Sequence, residues 1–94
     1  MAYVYILYSK SLNCHYIGSC ENLKNRLFEH NNGIFENSFT SIAKDWVLLL
    51  KIENLEYQQA RDIEKHIKRM KSKIFIENLN AYPELIEKLK TRYS

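Results

Sequence analysis

Hydrophobic positions change rhythm along this chain, and each change marks an element. Tyr3-Val4-Tyr5-Ile6-Leu7-Tyr8 is β-branched and aromatic without polar alternation, which predicts a strand covered on both faces. Ser9 to Asn13 is polar and turn-like, and His15-Tyr16-Ile17 predicts a second, short strand closed by Gly18. Two such strands in succession form an antiparallel hairpin with a longer loop. Ser19 then stands where a helix cap is expected, and Glu21 supplies a favourable charge for the first turn. Leu23 and Leu27 recur at helical spacing, and Asn31-Asn32-Gly33 ends that helix, Gly33 being suited to a left-handed cap. Gly33 to Asp45 is polar and uneven and predicts a loop. Trp46-Val47-Leu48-Leu49-Leu50 is continuously apolar and predicts a central strand.

In the second half the spacing becomes helical. Asn54 is the expected cap, Tyr57 the third helical residue, and Ala60, Ile63, Ile67 and Met70 form a stripe that must pack on the sheet. Ile74, Phe75 and Leu79 predict another short helix. Tyr82-Pro83 opens the last one, because proline is tolerated in a first turn, and Leu85, Ile86 and Leu89 supply its buried side. The order strand, strand, helix, strand, helix, helix, helix indicates an α+β fold with a small antiparallel or mixed sheet. Residues 1–94 are expected to form a single domain, with residues 81–94 as a C-terminal helical extension. A chain of this length buries roughly 60–65% of its unfolded surface, enough for a modest core.

Charge adds a local asymmetry. The formal balance is only +3, yet Arg61, Lys65, Lys68, Arg69, Lys71 and Lys73 fall within thirteen positions against Asp62 and Glu64 alone. Such a cluster can hold phosphates and steer a polyanion, or it can be the wet face of a helix. No apolar run approaches the roughly 20 residues of a membrane span. Cys14 and Cys20 are too far apart for a C-x-x-C pair and have no zinc-type partners. With no secretory segment ahead of the first strand, a reduced, cytoplasmic protein is expected.

Four features carry candidate chemistry. Tyr5 and Tyr16 sit on neighbouring strands and are expected to face each other. Arg26 and His30, spaced i,i+4, share one face of the first helix. Glu64 places a carboxylate at the edge of the buried stripe, where an unpaired charge is costly. Tyrosine, arginine, histidine and carboxylate together suit phosphoryl transfer. Each also has a plain reading: packing tyrosines, a wet helix face, and a glutamate paired with a neighbouring lysine.

Tyr3-Val4-Tyr5 followed by Tyr16-Ile17-Gly18 resembles the paired signature of the GIY-YIG nuclease superfamily, small stand-alone members in particular. Tyr3 and Val4 stand where glycine and isoleucine are usual, whereas Tyr16-Ile17-Gly18 matches letter for letter. The run from Tyr16 to Asn31, Trp46 heading an apolar strand, Ala60 four residues before Glu64, and the basic stretch Ile67 to Lys73 extend the resemblance from Tyr3 to about Leu79.

The resemblance implies a three-stranded antiparallel sheet flanked by helices and a divalent-metal-dependent endonuclease acting on DNA. Whether that DNA is structured or damaged, as in repair, or a particular duplex sequence read through a partner stays open. RNA stays open as a substrate. It implies Tyr5, Tyr16, Arg26, His30 and Glu64 as catalytic residues, with Glu64 holding Mg²⁺ or Mn²⁺. One carboxylate suffices for such an ion, which keeps waters and takes oxygens from substrate phosphate. Arg26 would stabilise the phosphate. Tyr5, if its phenolate is favoured, or His30 would serve as base. Lys65, Lys68, Arg69, Lys71 and Lys73 would contact the nucleic acid. A non-catalytic nucleic-acid-binding domain of the same fold, or a protein–protein interaction module using the tail from Ala81 to Ser94, is the alternative.

Overall fold

A computed structural model describes residues 1–31 and 43–94, the side chain of His30 excepted. Its elements are β1 (Ala2–Ser9), β2 (Cys14–Cys20), α1 (Leu23–Asn31), β3 (Trp46–Leu55), α2 (Tyr57–Met70), α3 (Lys73–Ala81) and α4 (Pro83–Arg92). The strands form an antiparallel sheet in the order β2-β1-β3, so the α+β expectation with a three-stranded antiparallel sheet holds. Among the described residues no helix is long and apolar enough to cross a membrane.

The missing polar alternation in β1 now has its cause. β1 is the middle strand, and both of its faces are covered. Ala2, Val4 and Ile6 point to a core shared with Ile52, Leu55, Ala60, Ile63, Ile67, Ile76, Leu79 and Leu89. Tyr5 and Leu7 point the other way, to a smaller cluster with Cys20, Ala43 and Trp46, against which Leu23 and Leu27 of α1 pack. Helices α2, α3 and α4 therefore cover one face and α1 the other. At roughly 25 cal/mol per Å² of apolar area, each large aliphatic side chain sealed in the first core contributes about 1.5–3 kcal/mol.

Several local expectations change. Trp46–Leu50 begins an edge strand, not the central one, and Val47 and Leu48 are 56% and 37% exposed. Gly18 lies inside β2 instead of ending it, and Ser19 belongs to that strand. The cap of α1 is Asn22, whose Oδ1 accepts from the Asn25 amide at 3.0 Å. Asn54 is still in β3, with φ of 61°, and Glu56 with Gln59 makes the reciprocal cap of α2. Met70 is 46% and Ile74 69% exposed, so the buried stripe of α2 stops at Ile67 and α3 buries Ile76 and Leu79 instead. Gly33 and the loop as far as residue 42 lie outside the described residues.

Two tethers hold the β3 entrance. Asp45 accepts from the Ser9 hydroxyl at 2.6 Å and from the Ser11 amide at 2.9 Å, joining it to the β1–β2 turn. The Asn31 side chain exchanges two hydrogen bonds with the Trp46 backbone, both at 2.9 Å, locking the end of α1 to β3.

Candidate active site at the β2 edge

Tyr5 is 3% exposed and is the register partner of Gly18 across the β1–β2 pair. A Cβ on Gly18 would stand 2.5 Å from the Tyr5 hydroxyl and 2.6 Å from Cζ. The ring therefore lies flat across the glycine, and its phenol reaches the edge strand. Tyr16 is paired with Leu7, not with Tyr5, so the two tyrosines are diagonal neighbours with ring centroids 6.3 Å apart. Tyr16 also meets the ring of Trp46 edge-on at 6.4 Å.

Helices on opposite faces deliver the other groups to this edge. Ser19 points to the α2 side, and its hydroxyl donates to Glu64 Oε1 at 2.5 Å. Lys68, one turn on, donates to Glu64 Oε2 at 2.6 Å and stands 5.9 Å from the Tyr16 ring centroid. The Glu64 side chain is 20% exposed, so it is partly withdrawn from water with both oxygens engaged. From the other face, α1 carries Arg26 close enough to bear on the ionisation of both Tyr5 and Cys20. His30 belongs to α1, but its side chain lies outside the described residues.

Burial pushes the Tyr5 phenol well above its ordinary range, and Tyr16 adds to this. Arg26 pulls the other way, while Cys20 and Glu64 reinforce the upward shift. Burial thus favours the neutral phenol at Tyr5. Burial likewise raises the Cys20 thiol, partly opposed by Arg26. Cys20 is thus a packing residue with little thiolate character.

A groove of about 660 Å³ opens beside the edge. Ser19, Asn22, Asn25 and Arg26 line one side and Tyr57 and Arg61 the other, with Glu21 and Glu29 also present. The Arg61 guanidinium donates to the Tyr57 hydroxyl at 3.1 Å and packs 5.7 Å from that ring's centroid. Ser19 and Tyr57 carry no site signal in the sequence, and Arg61 enters there only as one member of the basic cluster. Tyr57, Arg61, Glu64 and Lys68 nevertheless recur at i, i+4, i+7 and i+11, a polar stripe on α2 parallel to the buried one.

The basic residues do not form one track. Lys68 is held by Glu64, Lys71 is the left-handed cap of α2, and Lys73 stands near His15 at the other end of β2. Lys65 and Arg69 are exposed on α2.

Among the described residues no three of His, Cys, Asp and Glu gather as metal ligands. The donor set at Glu64 still fits a hard divalent ion. It has one carboxylate, a neighbouring hydroxyl, and an adjoining groove for phosphate oxygens and water, although the Lys68 ammonium on Oε2 must give way to the ion.

A family model described as the GIY-YIG catalytic domain matches residues 1–80. Neither the curated proteins nor the solved structures give a match.

Proposed function

This chain belongs to the GIY-YIG family of nuclease domains, and from that premise we propose that it is a divalent-metal-dependent endonuclease hydrolysing phosphodiester bonds in DNA. The observation that carries the reading is the convergence at one strand edge of Tyr5, Tyr16, Arg26 and Glu64, drawn from two strands and two helices on opposite faces of the sheet. Packing alone gives no reason to bring a buried phenol, a guanidinium and a carboxylate to one strand edge, beside a groove that Arg26 and Ser19 line.

Each residue has a role that follows from its setting. Arg26 donates to a non-bridging oxygen of the scissile phosphate and stabilises the charge that grows there. Tyr5, kept neutral by burial, donates a further hydrogen bond from a position fixed by Gly18. Tyr16 orients the attacking water, and His30, one turn after Arg26 and with a reference pKa near 6.5, takes its proton. Glu64, aligned by Ser19, would hold Mg²⁺ or Mn²⁺ once Lys68 turns away. When bound, the ion neutralises charge on the phosphate and assists departure of the leaving oxygen. Arg61, braced on Tyr57, contacts a flanking phosphate across the groove.

The test is a labelled DNA panel of duplex, single-stranded, flap and junction substrates, with an RNA duplex alongside. Nicking or cutting is expected with Mg²⁺ or Mn²⁺ and none with chelator. Tight, salt-sensitive binding without cleavage on every substrate would replace this reading with a non-catalytic nucleic-acid binder.

A further inference from the structure

A second recess lies on the α2–α3 side of the sheet, at the end of β2 remote from Ser19. It holds about 320 Å³ and is lined by Tyr8, His15 and Leu49 from the three strands and by Lys73, Glu77 and Asn80 from α3. That volume is at the small end of ligand sites, the size of one nucleotide and not of a duplex. Tyr8 and His15 are register partners, with ring centroids 5.1 Å apart, and the Tyr8 hydroxyl is anchored on Asn13 Oδ1 at 2.8 Å. Lys73, Glu77 and Asn80 follow one another on one face of α3 at i, i+4 and i+7.

The chemistry of this lining is specific. Two aromatic rings, Tyr8 anchored through its hydroxyl and His15 tilted against it, offer π faces. Asn80 can donate and accept, Glu77 accepts from an amine, and Lys73 offers a positive charge to an anion. Burial, with Lys73 beside it, keeps His15 below its ordinary pKa, while Glu77 partly opposes the shift. At neutral pH the imidazole is therefore an uncharged stacking surface. A planar heterocycle with an exocyclic amine, joined to a phosphate, matches every element of this set.

We propose that this recess captures one unpaired nucleobase of the substrate strand, stacked on the Tyr8–His15 pair, with Asn80 and Glu77 at its edge and Lys73 on its phosphate. The inference rests on the nuclease reading for the strand and deepens it, because a base paired within a duplex is stacked on both sides and cannot enter. His15 and Ser19 are four positions apart on β2, roughly 13 Å at the rise of an extended chain. That is about four nucleotide steps of a duplex strand. The substrate so selected has a single-stranded end, flap or loop about that far from the cut.

The test uses the full chain in chelator, so that DNA stays intact. The probes are a blunt duplex and the same duplex with a single-stranded overhang carrying the fluorescent base 2-aminopurine. The overhang should bind about tenfold more tightly than the blunt end, the scale of one stacked base, with the 2-aminopurine quenched. His15→Ala and, separately, the surface change Asn80→Ala should abolish both the preference and the quenching, leave blunt-duplex affinity unchanged, and keep the circular dichroism spectrum. An overhang preference retained in folded Asn80→Ala and His15→Ala, its absence in the wild type, or no binding to either duplex would overturn the recess. Cleavage of the two duplexes is followed in parallel with Mg²⁺. Preference lost in both variants with no cleavage by wild type would uphold the recess and overturn the nuclease reading. Cleavage with no preference in binding would do the reverse.

Discussion

The Tyr5 phenol occupies the space that a side chain on Gly18 would need. Their backbones are paired across the β1–β2 ladder, and an added Cβ would come within 2.5 Å of the hydroxyl. A glycine in the middle of a strand costs chain entropy and packs nothing, so its presence calls for a close approach from elsewhere. Here the approach is the ring that carries a buried phenol to the strand edge.

Gly18→Ala should therefore injure the site more than a surface strand substitution does. Overpacking of this kind costs about 1–3 kcal/mol. Relief requires the Tyr5 ring to swing off β2. The expected outcome is a lower melting temperature together with loss of cleavage at temperatures where the variant is still folded. Full activity in the folded variant would show that the position of Tyr5 does not matter. Tyr5→Phe separates the two effects, because it keeps the ring and removes only the hydroxyl: kcat should fall while stability drops by no more than about 1 kcal/mol, the scale of one hydrogen bond.

Glu64→Gln preserves shape and removes the charge that would anchor a divalent ion. Cleavage should fall by at least about a hundredfold, the scale of losing one electrostatic stabiliser of a transition state. Ser19 donates to one Glu64 oxygen and Lys68 to the other, and glutamine leaves an oxygen for only one of them. A modest drop in melting temperature should therefore accompany the loss of cleavage, with the fold kept. DNA affinity should survive or rise, since a negative charge facing the polyanion is gone. Equal rates in wild type and variant under the same metal would reject Glu64 as the anchor.

Arg26 and Arg61 line the same groove from opposite sides, and kinetics should tell them apart. Arg26→Ala is expected to lower kcat with the fold intact, because its contact strengthens as charge develops on the phosphate. Arg61→Ala is expected to raise KM and flatten the salt dependence of binding with kcat nearly unchanged. Arg61→Lys should recover only part of the loss, because an ammonium cannot reproduce a planar fork braced on Tyr57. The reverse pattern would exchange the two roles.

Asp45 supplies a pH test of the fold alone. Hydrogen bonds from the Ser9 side chain and the Ser11 backbone hold its carboxyl below the ordinary 3.8. A depressed carboxylate stabilises the folded chain above its unfolded pKa, and that contribution is lost as pH falls through the folded value. Asp45→Asn should melt below wild type at neutral pH, and the gap should close as pH drops under about 3.8. A gap that persists in acid would assign the loss to geometry instead of charge.

Element types were legible in the sequence because they rest on near-neighbour rhythm. The three-four spacing of Ala60, Ile63 and Ile67 announces a helix with one buried side, and Pro83 marks the first turn of α4. The polar stripe through Tyr57, Arg61, Glu64 and Lys68 was equally present, but nothing local says which surface such a stripe will face. Ser19 shows the same gap. Its capping preference is real, yet pairing with Val4 holds it in β2 and frees its hydroxyl for Glu64.

What the sequence by itself determined, then, is the order of strands and helices, the buried side of α2, and the signature residues that identify a nuclease domain. Tertiary structure alone decided that the continuously apolar Trp46 strand runs along an edge and that Tyr5 is opposite Gly18 and not Tyr16. It also decided that α1 and α2, on opposite faces, meet in one groove. Helical periodicity is set within a few residues by the backbone's own hydrogen bonds. Strand order and register are set by side chains far apart in the chain competing for the same buried space, and only the folded sheet resolves that competition.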